Sequence, residues 1–420
     1  MRFLYALALS ALASFGDAAA ITQGNSTSSE PTYDAIIIGG GPAGLSALSG
    51  LARVRRKVLL IDSGEYRNAP TRHMHDVIGF DGVTPAYYRW AARGQLSHYD
   101  TVSMVNGTVT KIVAQQNNTW FSVSANYANE TKTLSTKKIV LATGLKDILP
   151  ETPGIEENWG KGIYWCPWCD GHEHADQPLG LLASLDKIPG LVREILTLNR
   201  DIVAFVNGTD TSKSREIATK DLPKWEAYLK IHNVTVDNRT ITDIQRLREG
   251  TTGHEDPSLP TAPENDLFEV NFNEGQSVHR AAFLTSFEDE QRSRVPEELG
   301  VRLYGGRLAA DSANGLVTNI PGVYAIGDAN SDNVTNVPHA LFSGKRTAVF
   351  LHGELSELNQ RVLTCANALT VRLERETQAD ELAEVDDEPE KRDIHLKARE
   401  VWERVNGQPG DLLYAGDFDQ

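Results

Sequence analysis

The hydrophobic positions near the start of this chain form short continuous runs. Residues 33–38, apolar except for Asp34, form the first run and residues 58–61 form the second, and a glycine-rich stretch with a helix-forming segment separates them. A run that is apolar at consecutive positions indicates a strand covered on both faces, as in a parallel sheet. The pattern therefore predicts a strand, a helix and a second, parallel strand at the start of the folded chain.

Alternation of apolar and polar positions replaces these runs between residues 101 and 138. Asn and Gly residues interrupt the alternation, which predicts an antiparallel meander. A strand is predicted again at residues 138–142, which are apolar after Lys138, and it ends in Thr143-Gly144. Prolines and a glycine follow at residues 150–154, and this group of turn residues predicts a domain boundary.

The remainder of the chain again combines strand and helix patterns. Residues 155–283 form a second α/β pattern, and near residue 284 the chain returns to the first domain. An apolar strand at residues 322–328 ends in Gly-Asp, and a helix is predicted from about Pro338 to Leu351. We therefore predict an α/β fold of two Rossmann-like three-layer domains, in which a smaller domain interrupts the first.

The predicted organisation begins with a segment outside the fold. A basic residue, a short apolar run and small residues at positions 18–20 indicate a secretory signal peptide, with an uncleaved anchor as the alternative. The six predicted parts are the signal peptide (1–20), a flexible lead-in (21–32), the first domain (33–150), the inserted domain (151–283), the return of the first domain (284–363) and an acidic C-terminal extension (364–420).

Charge and composition narrow the choice of partners. The formal net charge is −16, which argues against binding to nucleic acid. Apolar residues make up 40% of the chain, enough for sizeable cores, and no segment after the leader is long and apolar enough to span a bilayer. We expect a secreted protein, or one in the lumen of the secretory pathway, without a membrane contact after cleavage.

Glycosylation signals agree with this location. Eight asparagines stand two positions before Ser or Thr without an intervening proline, more than composition alone leads one to expect. The predicted glycosylation sites are Asn25, Asn106, Asn117, Asn129, Asn207, Asn233, Asn238 and Asn333.

The glycine-rich stretch after the first strand has the spacing of a dinucleotide-binding loop. Gly39 makes the tight turn, Gly41 lets the backbone approach a pyrophosphate, and Gly44 lets the helix pack against the strand. Pro42 and Ala43 complete the loop at the helix N-terminus, whose N–H groups and dipole favour phosphate.

An acidic residue completes this pattern. Asp62 ends the second strand, about 20 residues after the loop, where a carboxylate accepts a hydrogen bond from a ribose hydroxyl. Because strand, loop, helix, second strand and acid occur in order, the chain is predicted to bind a dinucleotide.

Cys166 and Cys169 are the one closely spaced pair among the three cysteines of the chain. Two intervening residues permit a small disulfide ring, and the environment of such a pair can make one thiol a thiolate at neutral pH. A structural disulfide that closes so short a loop adds little stability. The pair therefore predicts redox chemistry on thiols.

The motifs occur in an order that resembles the FAD-dependent thioredoxin reductase-like family. Residues 39–44, 142–144, 166–171 and 322–328 carry this resemblance. Within the family, the chain most resembles the fungal gliotoxin-type dithiol oxidases, which have a Cys-Pro-aromatic-Cys pair and pass electrons to oxygen. The resemblance implies bound FAD and a homodimer.

The resemblance also implies roles for individual residues. The substrate thiolate would attack Cys166, and Cys169 would face the flavin. Asp170 would move protons to and from the thiols, and His339 would face the flavin as an acid or base, unless it only begins its helix. The resemblance adds four residues to the expected FAD site: Thr143, Gly144, Gly327 and Asp328. Among them, Asp328 would bind the ribityl chain.

The chain departs from the reductases in its inserted domain. A second glycine-rich loop for NADPH is expected after the strand at residues 178–182, but residues 183–188 contain no glycine, and Asp186 adds negative charge there. We therefore expect a thiol oxidase that forms disulfides in a small-molecule or peptide dithiol, with oxygen as electron acceptor. An NAD(P)H-dependent disulfide reductase and a non-catalytic flavin-binding protein are the alternatives.

His172 and His174 follow the cysteine pair closely enough to suggest zinc. The four side chains of this Cys-x2-Cys-x2-His-x-His set are crowded for tetrahedral coordination of one zinc ion, and the chain has no second cysteine pair. We therefore expect surface histidines and no metal. Trp165 and Trp168 flank the pair, either as an aromatic wall for a substrate or as packing between domains.

Overall fold

A computed structural model describes residues 31–253, residue 256 and residues 259–376 of the chain; for residues 358–376 it describes the backbone alone. The expected signal peptide, nearly all of the expected lead-in and the part of the expected acidic extension beyond residue 376 lie outside the described residues.

The described residues contain 21 strands, most of them short. They are β1 (Tyr33–Ile38), β2 (Val58–Asp62), β3 (Val102–Asn106), β4 (Thr108–Gln115), β5 (Trp120–Tyr127), β6 (Glu130–Leu141), β7 (Leu145–Asp147), β8 (Ile163–Tyr164), β9 (Leu179–Leu182), β10 (Ile202–Phe205), β11 (Thr235–Asp237), β12 (Ile241–Arg248), β13 (Leu267–Phe272), β14 (Val278–Arg280), β15 (Ala282–Thr285), β16 (Asp289–Gln291), β17 (Leu303–Tyr304), β18 (Arg307–Leu308), β19 (Ala310–Asp311), β20 (Val317–Thr318) and β21 (Val323–Ala325).

Nine α-helices accompany these strands in the described part of the chain. They are α1 (Pro42–Ala52), α2 (Pro85–Leu96), α3 (Ile155–Asn158), α4 (Pro167–Asp170), α5 (Ile188–Ile195), α6 (Ser212–Asp221), α7 (Trp225–Ile231), α8 (Val295–Leu299) and α9 (Val337–Glu376). Two short 3-10 helices span Leu185–Lys187 and Gly327–Ala329.

The first domain is built on a sheet of nine strands in which β1 is central. β1 runs parallel to β2 on one side and to β6 on the other. Its alternate residues enter two different cores: Ile37 packs with α1 and α9, and Ile36 packs with β4 and β5. Both faces of β1 are therefore covered, which explains why its sequence is apolar at consecutive positions.

The expected meander is present from β4 to β6, where successive strands pair antiparallel. The expectation is wrong for β3, which instead runs parallel to β2 at the edge of the sheet. A half-exposed edge strand shows the same alternation of apolar and polar residues whichever direction its neighbour runs, so the pattern could not separate the two cases.

The second domain contains a parallel sheet in the order β11-β10-β9-β15-β8. Helices α5, α6 and α7 cover one face of it, and the antiparallel sheet β12-β13-β14 covers the other. The predicted architecture of two Rossmann-like domains is confirmed. Because β15 belongs to this sheet, the chain leaves the second domain after residue 285, slightly later than the pattern predicted.

Two crossings join the domains, and they lie side by side. β7 carries the chain out of the first domain, β16 carries it back, and the two strands pair antiparallel. Asp147 of β7 is the register partner of Asp289 of β16, so both crossings bring a carboxylate to the same place.

α9 is longer than the predicted helix. It begins at Val337, as expected, but continues through Glu376 rather than ending near Leu351. Residues 352–376 are mostly strong helix formers. Beyond Gly353 they include no proline or glycine that would end the helix. No helix in the described ranges has both the length and the apolar composition of a membrane span.

Candidate functional site

A cleft opens where the strands of the first sheet end, and the second domain closes its far side. The carboxyl ends of β1, β2 and β6 border it, which is where parallel sheets bind ligands. Residues predicted for the cofactor line it together with one cysteine and its neighbouring acid: Gly39, Gly41, Pro42, Ala43, Asp62, Thr143, Gly144, Gly327, Asp328, Cys169 and Asp170.

The glycine loop forms one wall of this cleft. Gly44 lies beneath the loop, where a Cβ atom would stand 2.0 Å from the carbonyl oxygen of Gly39. Gly41 instead faces open space, because a Cβ atom there would have no neighbouring atom within 4 Å. Gly41 caps α1, and Pro42 begins it, so the free N–H groups of the first turn point toward this space.

Asp62 borders the cleft and also holds the loop in place. Its Oδ1 accepts hydrogen bonds from the backbone N–H groups of Gly40 and Gly64, both at 3.1 Å. Its Oδ2 accepts from the Tyr66 hydroxyl at 2.5 Å and from Arg93 at 2.8 Å. The sequence predicted the acid but not these two side chains, which keep a buried carboxylate hydrogen-bonded.

The opposite wall carries two groups suited to a bound cofactor. The Thr143 hydroxyl is buried and has no hydrogen-bond partner among the described residues. Asp328 accepts from Arg67 at 3.2 Å; burial raises the pKa of its carboxyl, and Arg67 opposes that rise. A buried unpaired hydroxyl is costly unless a ligand satisfies it, so the wall fits a polar ligand such as FAD.

Cys166 and Cys169 are joined in a disulfide at the start of α4. The cleft reaches Cys169, whereas Cys166 is the N-cap of α4 and is not among the described residues that line the cleft. Of the two cysteines, Cys169 is therefore the one that borders the cofactor space.

Asp170 follows the pair and also lines the cleft. Its Oδ2 atom is enclosed and has no hydrogen-bond partner in the described part of the chain. Burial raises the pKa of this carboxyl well above its ordinary value, the charges of Glu264 and Glu173 raise it further, and Arg72 opposes them. A carboxyl with a raised pKa keeps its proton to higher pH than an ordinary aspartate and can exchange it with a nearby sulfur.

Comparison with known proteins places this arrangement in a family. The profile of the pyridine nucleotide-disulphide oxidoreductases matches residues 33–188. A protein of Arthroderma benhamiae, described as a probable thioredoxin reductase, is 47% identical over 333 residues, which cover 78% of this chain and 81% of that protein. The chain belongs to the pyridine nucleotide-disulphide oxidoreductases.

Two further comparisons agree with this assignment. Thioredoxin reductase aclD of Aspergillus oryzae is 34% identical over 276 residues, which cover 61% of this chain and 83% of that protein. The crystal structure of HlmI is 29% identical with a TM-score of 0.66, and the match covers 81% of this chain and 97% of that chain. The chain is thus a thioredoxin reductase-like enzyme, an FAD-dependent oxidoreductase acting on sulfur groups, as the sequence predicted.

His339 lies elsewhere in this oxidoreductase. Among the described residues that line the cleft, α9 contributes Val337, Pro338 and Ala340, whereas His339 pairs with Asp332 at 2.7 Å. His339 borders a separate hollow. The expectation that it faces the flavin is therefore corrected, because the helical rotation between Pro338 and Ala340 turns its side chain out of the cleft.

The two histidines after the cysteine pair also differ from each other. His172 is exposed, as expected, but His174 is buried and stacks on Tyr164. Burial lowers the pKa of His174, and Glu264 opposes that shift. His174, Glu264 and Asp266 lie close together, but the guanidinium of Arg72 bonds both carboxylates and supplies the positive charge there.

A polar segment between β2 and α2 supplies cleft residues that the motif analysis missed. Arg67, His73 and His75 from this segment line the cleft, as does Trp165. Trp165 stacks on Trp159, with ring centroids 4.8 Å apart, and the Arg67 guanidinium lies 5.5 Å from the Trp165 ring, so Trp165 packs at the domain boundary. The length of the segment was the available signal, because long connections inside compact domains are usually functional.

The loop expected to hold NADPH in reductases has its own hydrogen bonds in this enzyme. After β9 the chain forms the 3-10 helix Leu185–Lys187 and enters α5. The backbone N–H of Leu185 donates to the hydroxyl of Thr209 at 3.1 Å. The Thr209 hydroxyl thus accepts a hydrogen bond from a backbone N–H that, in the loop of a reductase, would be available to a phosphate.

The sequon asparagines are placed on the surface. Seven of the eight fall in the described ranges, and all seven side chains are exposed; Asn25 lies outside the described residues. The seven are Asn106, Asn117, Asn129, Asn207, Asn233, Asn238 and Asn333.

Proposed function

We propose that this enzyme is a secreted FAD-dependent dithiol oxidase that closes a disulfide in a small-molecule or peptide dithiol and passes the electrons to oxygen. The observation that carries the proposal is the loop after β9. Leu185 already donates its N–H to Thr209, Asp186 adds negative charge, and the loop has no glycine. Without a phosphate cradle in the second domain, the substrate dithiol is the source of electrons.

The cysteine pair divides the chemistry between its two sulfurs. A substrate thiolate attacks Sγ of Cys166, the Cys166–Cys169 bond breaks, and Cys169 leaves as a thiolate facing the cleft. The second substrate thiol then displaces Cys166, so that the substrate leaves as a disulfide, having lost two electrons and two protons. The Cys166–Cys169 bond then forms again as the pair gives up the two electrons. FAD held by the glycine loop and Asp328 would supply the acceptor for those electrons and would pass them to oxygen, which would leave as hydrogen peroxide with the two protons lost by the substrate.

Asp170 is suited to carry the protons of this exchange. Burial raises the pKa of its carboxyl, which favours the protonated form, and its enclosed Oδ2 atom has no competing partner among the described residues. It can protonate the Cys169 thiolate and recover the proton when that sulfur is deprotonated again.

Secretion is part of the proposal. The leader pattern of residues 1–20 and the seven exposed sequon asparagines support it, because attached glycans require surface positions. The oxidising compartments outside the cytosol also suit an enzyme that forms disulfides.

We also infer a homodimer. α9 exposes a stripe of apolar side chains, with Phe342 and Val349 each 58% exposed and Phe350 40% exposed. These positions recur on one face of the helix, as expected of a surface that a second copy covers. The chain resembles the thioredoxin reductase-like enzymes, and this resemblance implies a homodimer. We therefore assign a second copy of this chain as the partner that covers the stripe.

The second candidate is an NAD(P)H-dependent disulfide reductase. The relatives from Arthroderma benhamiae and Aspergillus oryzae favour it, since both are named as thioredoxin reductases. In that case the second domain would bind the nicotinamide nucleotide by contacts other than a glycine loop.

Anaerobic titration of the purified holoenzyme separates the two candidates. We expect a dithiol such as dithiothreitol to bleach the flavin absorbance, and admitted air to restore it with release of one peroxide per disulfide formed. NADPH and NADH at micromolar concentration should leave the absorbance unchanged. Rapid bleaching by either nucleotide would establish the reductase instead. Failure of every dithiol to bleach the flavin would exclude the oxidase activity and the redox role of the cysteine pair.

A further inference from the structure

One arginine of the first domain reaches across the boundary into a group of carboxylates of the second. Arg72 bonds Asp266 through two parallel contacts of 3.0 Å, and it also bonds Glu264 and Glu249. The side chain of Arg72 is 10% exposed and that of Asp266 is fully buried. Arg72 thus makes its charge-assisted bonds away from water, where such bonds are strongest.

The backbone also comes close at this boundary. A Cβ atom on Gly160 of the second domain would lie 2.9 Å from the backbone of Pro70 and Thr71. On the same polar segment, the His75 ring lies 3.5 Å from a carboxylate oxygen of Glu173. The contact between residues 70–75 and the second domain is therefore continuous and tightly packed.

The same segment is fixed at its other end. Arg67 bonds Asp147 and Asp328 and lies 3.6 Å from Asp289, so it joins both crossings between the domains to the cofactor wall. Arg67 holds the crossings, whereas Arg72 holds the body of the second domain.

The acids that Arg72 holds lie next to the redox pair. Glu264 accepts from Arg72, and the backbone N–H of Glu264 donates to the carbonyl of Glu173, three residues after Asp170. Moving Glu264 relative to Arg72 would move α4, which carries Cys169 and Asp170 into the cleft.

We propose that Arg72 is a positioning residue that docks the second domain on the first, so that Cys169 and Asp170 are held at the flavin cleft. The proposal rests on the proposed redox role of the Cys166–Cys169 pair. The enzyme then presents its disulfide in one fixed place, and a dithiol must come to it.

The test uses full-length holoenzyme in which Cys166→Ser leaves Cys169 as a free thiol. A thiolate in contact with flavin gives a long-wavelength charge-transfer absorbance, and iodoacetamide labelling of Cys169, read by mass spectrometry, reports its accessibility. Arg72→Ala should speed the labelling about tenfold or more and weaken the absorbance, because a buried ion pair broken on one side shifts a docking equilibrium by at least that factor. Arg72→Lys should give an intermediate result, since an ammonium keeps the charge but lacks the planar fork that bonds Asp266 through two parallel contacts.

Arg215→Ala is the matched control. Arg215 also pairs with two carboxylates, Asp210 and Glu226, but all three lie within the second domain and the arginine is exposed. This variant should match the parent in both measurements. Full absorbance and unchanged labelling in Arg72→Ala with FAD bound would overturn the proposal.

A milder variant covers the case in which Arg72→Ala does not retain FAD. Glu249 is the exposed partner, at 54%, and Arg246 also pairs with Glu249 and with Asp266 inside the second domain. Glu249→Gln should therefore fold and give a smaller change in the same direction, and no change would count against the proposal. Neither measurement needs turnover, so each stands apart from the test of dithiol oxidation.

Discussion

The two cysteines are chemically alike but do not face the same surroundings. Cys169 borders the cofactor cleft, and Cys166 is the N-cap of α4 and is not among the described residues that line the cleft. In the proposed reaction the substrate therefore attacks Cys166, and the electrons leave the pair through Cys169.

Single substitutions should separate these roles. Cys166→Ser should show a long-wavelength charge-transfer absorbance, because Cys169 remains as a thiolate against the flavin. Cys169→Ser should lack it, since the remaining sulfur lies on the substrate side. Both variants should bind FAD, whose expected contacts lie mostly in the first domain, and both should lose dithiol oxidation. A band in Cys169→Ser instead would reverse the assignment, and full activity in either variant would remove the disulfide from the mechanism.

Asp170 should control turnover through its proton. Asp170→Asn preserves size but cannot release a proton, and we expect turnover with a dithiol to fall by roughly 10²–10⁴, the usual range for loss of a general acid or base. Stopped-flow flavin reduction should slow equally, with FAD content unchanged. Turnover of Asp170→Asn within a factor of two or so of wild type would argue against the role.

The same residue should leave a signature in the pH dependence of stability. The folded pKa of Asp170 is raised, mainly by burial, so its protonated form is the one that folding favours. The stabilising contribution is complete below the ordinary aspartate pKa of about 3.9 and is lost as pH rises through the folded pKa. Across that window wild type should lose thermal stability relative to Asp170→Asn, and parallel melting curves for the two proteins would contradict the shift.

At the scale of elements, the turn from β1 into α1 uses its glycines for different purposes. Gly44 is needed by the fold, because a side chain there meets the carbonyl oxygen of Gly39 at 2.0 Å. Gly41 is needed by the ligand, because the space beside it is open on the side of the cleft.

Alanine should therefore reduce stability at position 44 and reduce FAD binding at position 41. Gly44→Ala should destabilise the FAD-stripped protein by about 1–3 kcal/mol, the usual result of forcing a methyl group into a packed site. Gly41→Ala should leave the stripped protein as stable as wild type and weaken FAD binding. Thermal melts and fluorescence titration with FAD measure the two effects. Wild-type FAD affinity in Gly41→Ala would mean that the pyrophosphate does not approach this loop.

For the whole molecule, the exposed face of α9 is the feature that bears on assembly. Arg346 lies over the rings of Phe342 and Phe350, at 6.0 and 5.5 Å, so the face is apolar with one charge among its aromatic residues. Such a face is typical of an interface core, where aromatic residues and arginine are enriched.

A charge on this face should separate the subunits. Phe342→Asp should shift the protein from the mass of two chains to that of one in size-exclusion chromatography with light scattering. Ile231→Asp is the control, since Ile231 is 76% exposed on α7 of the second domain and should not affect the mass. A single-chain mass for wild type, or an intact dimer in Phe342→Asp, would place the interface elsewhere or exclude it.

The sequence by itself determined the parts whose physics is local. A glycine loop between an apolar strand and a helix binds phosphate near the helix N-terminus. Two cysteines separated by two residues can close a disulfide ring without contacts from distant parts of the chain. The loop of residues 39–44, the pair Cys166 and Cys169 and the strand β9 were accordingly predicted where they occur.

Tertiary structure decided what depends on contacts between distant parts of the chain. Arg72 meets Glu249 and Asp266 across more than 170 positions, and no local pattern marks such a partner. The burial of His174 depends on Tyr164 and Glu264 around it, and the outward direction of His339 depends on the rotation of α9 against the first domain. Side-chain type was therefore available from sequence, but the direction a side chain faces, and the charge it meets there, were set by how the two domains pack.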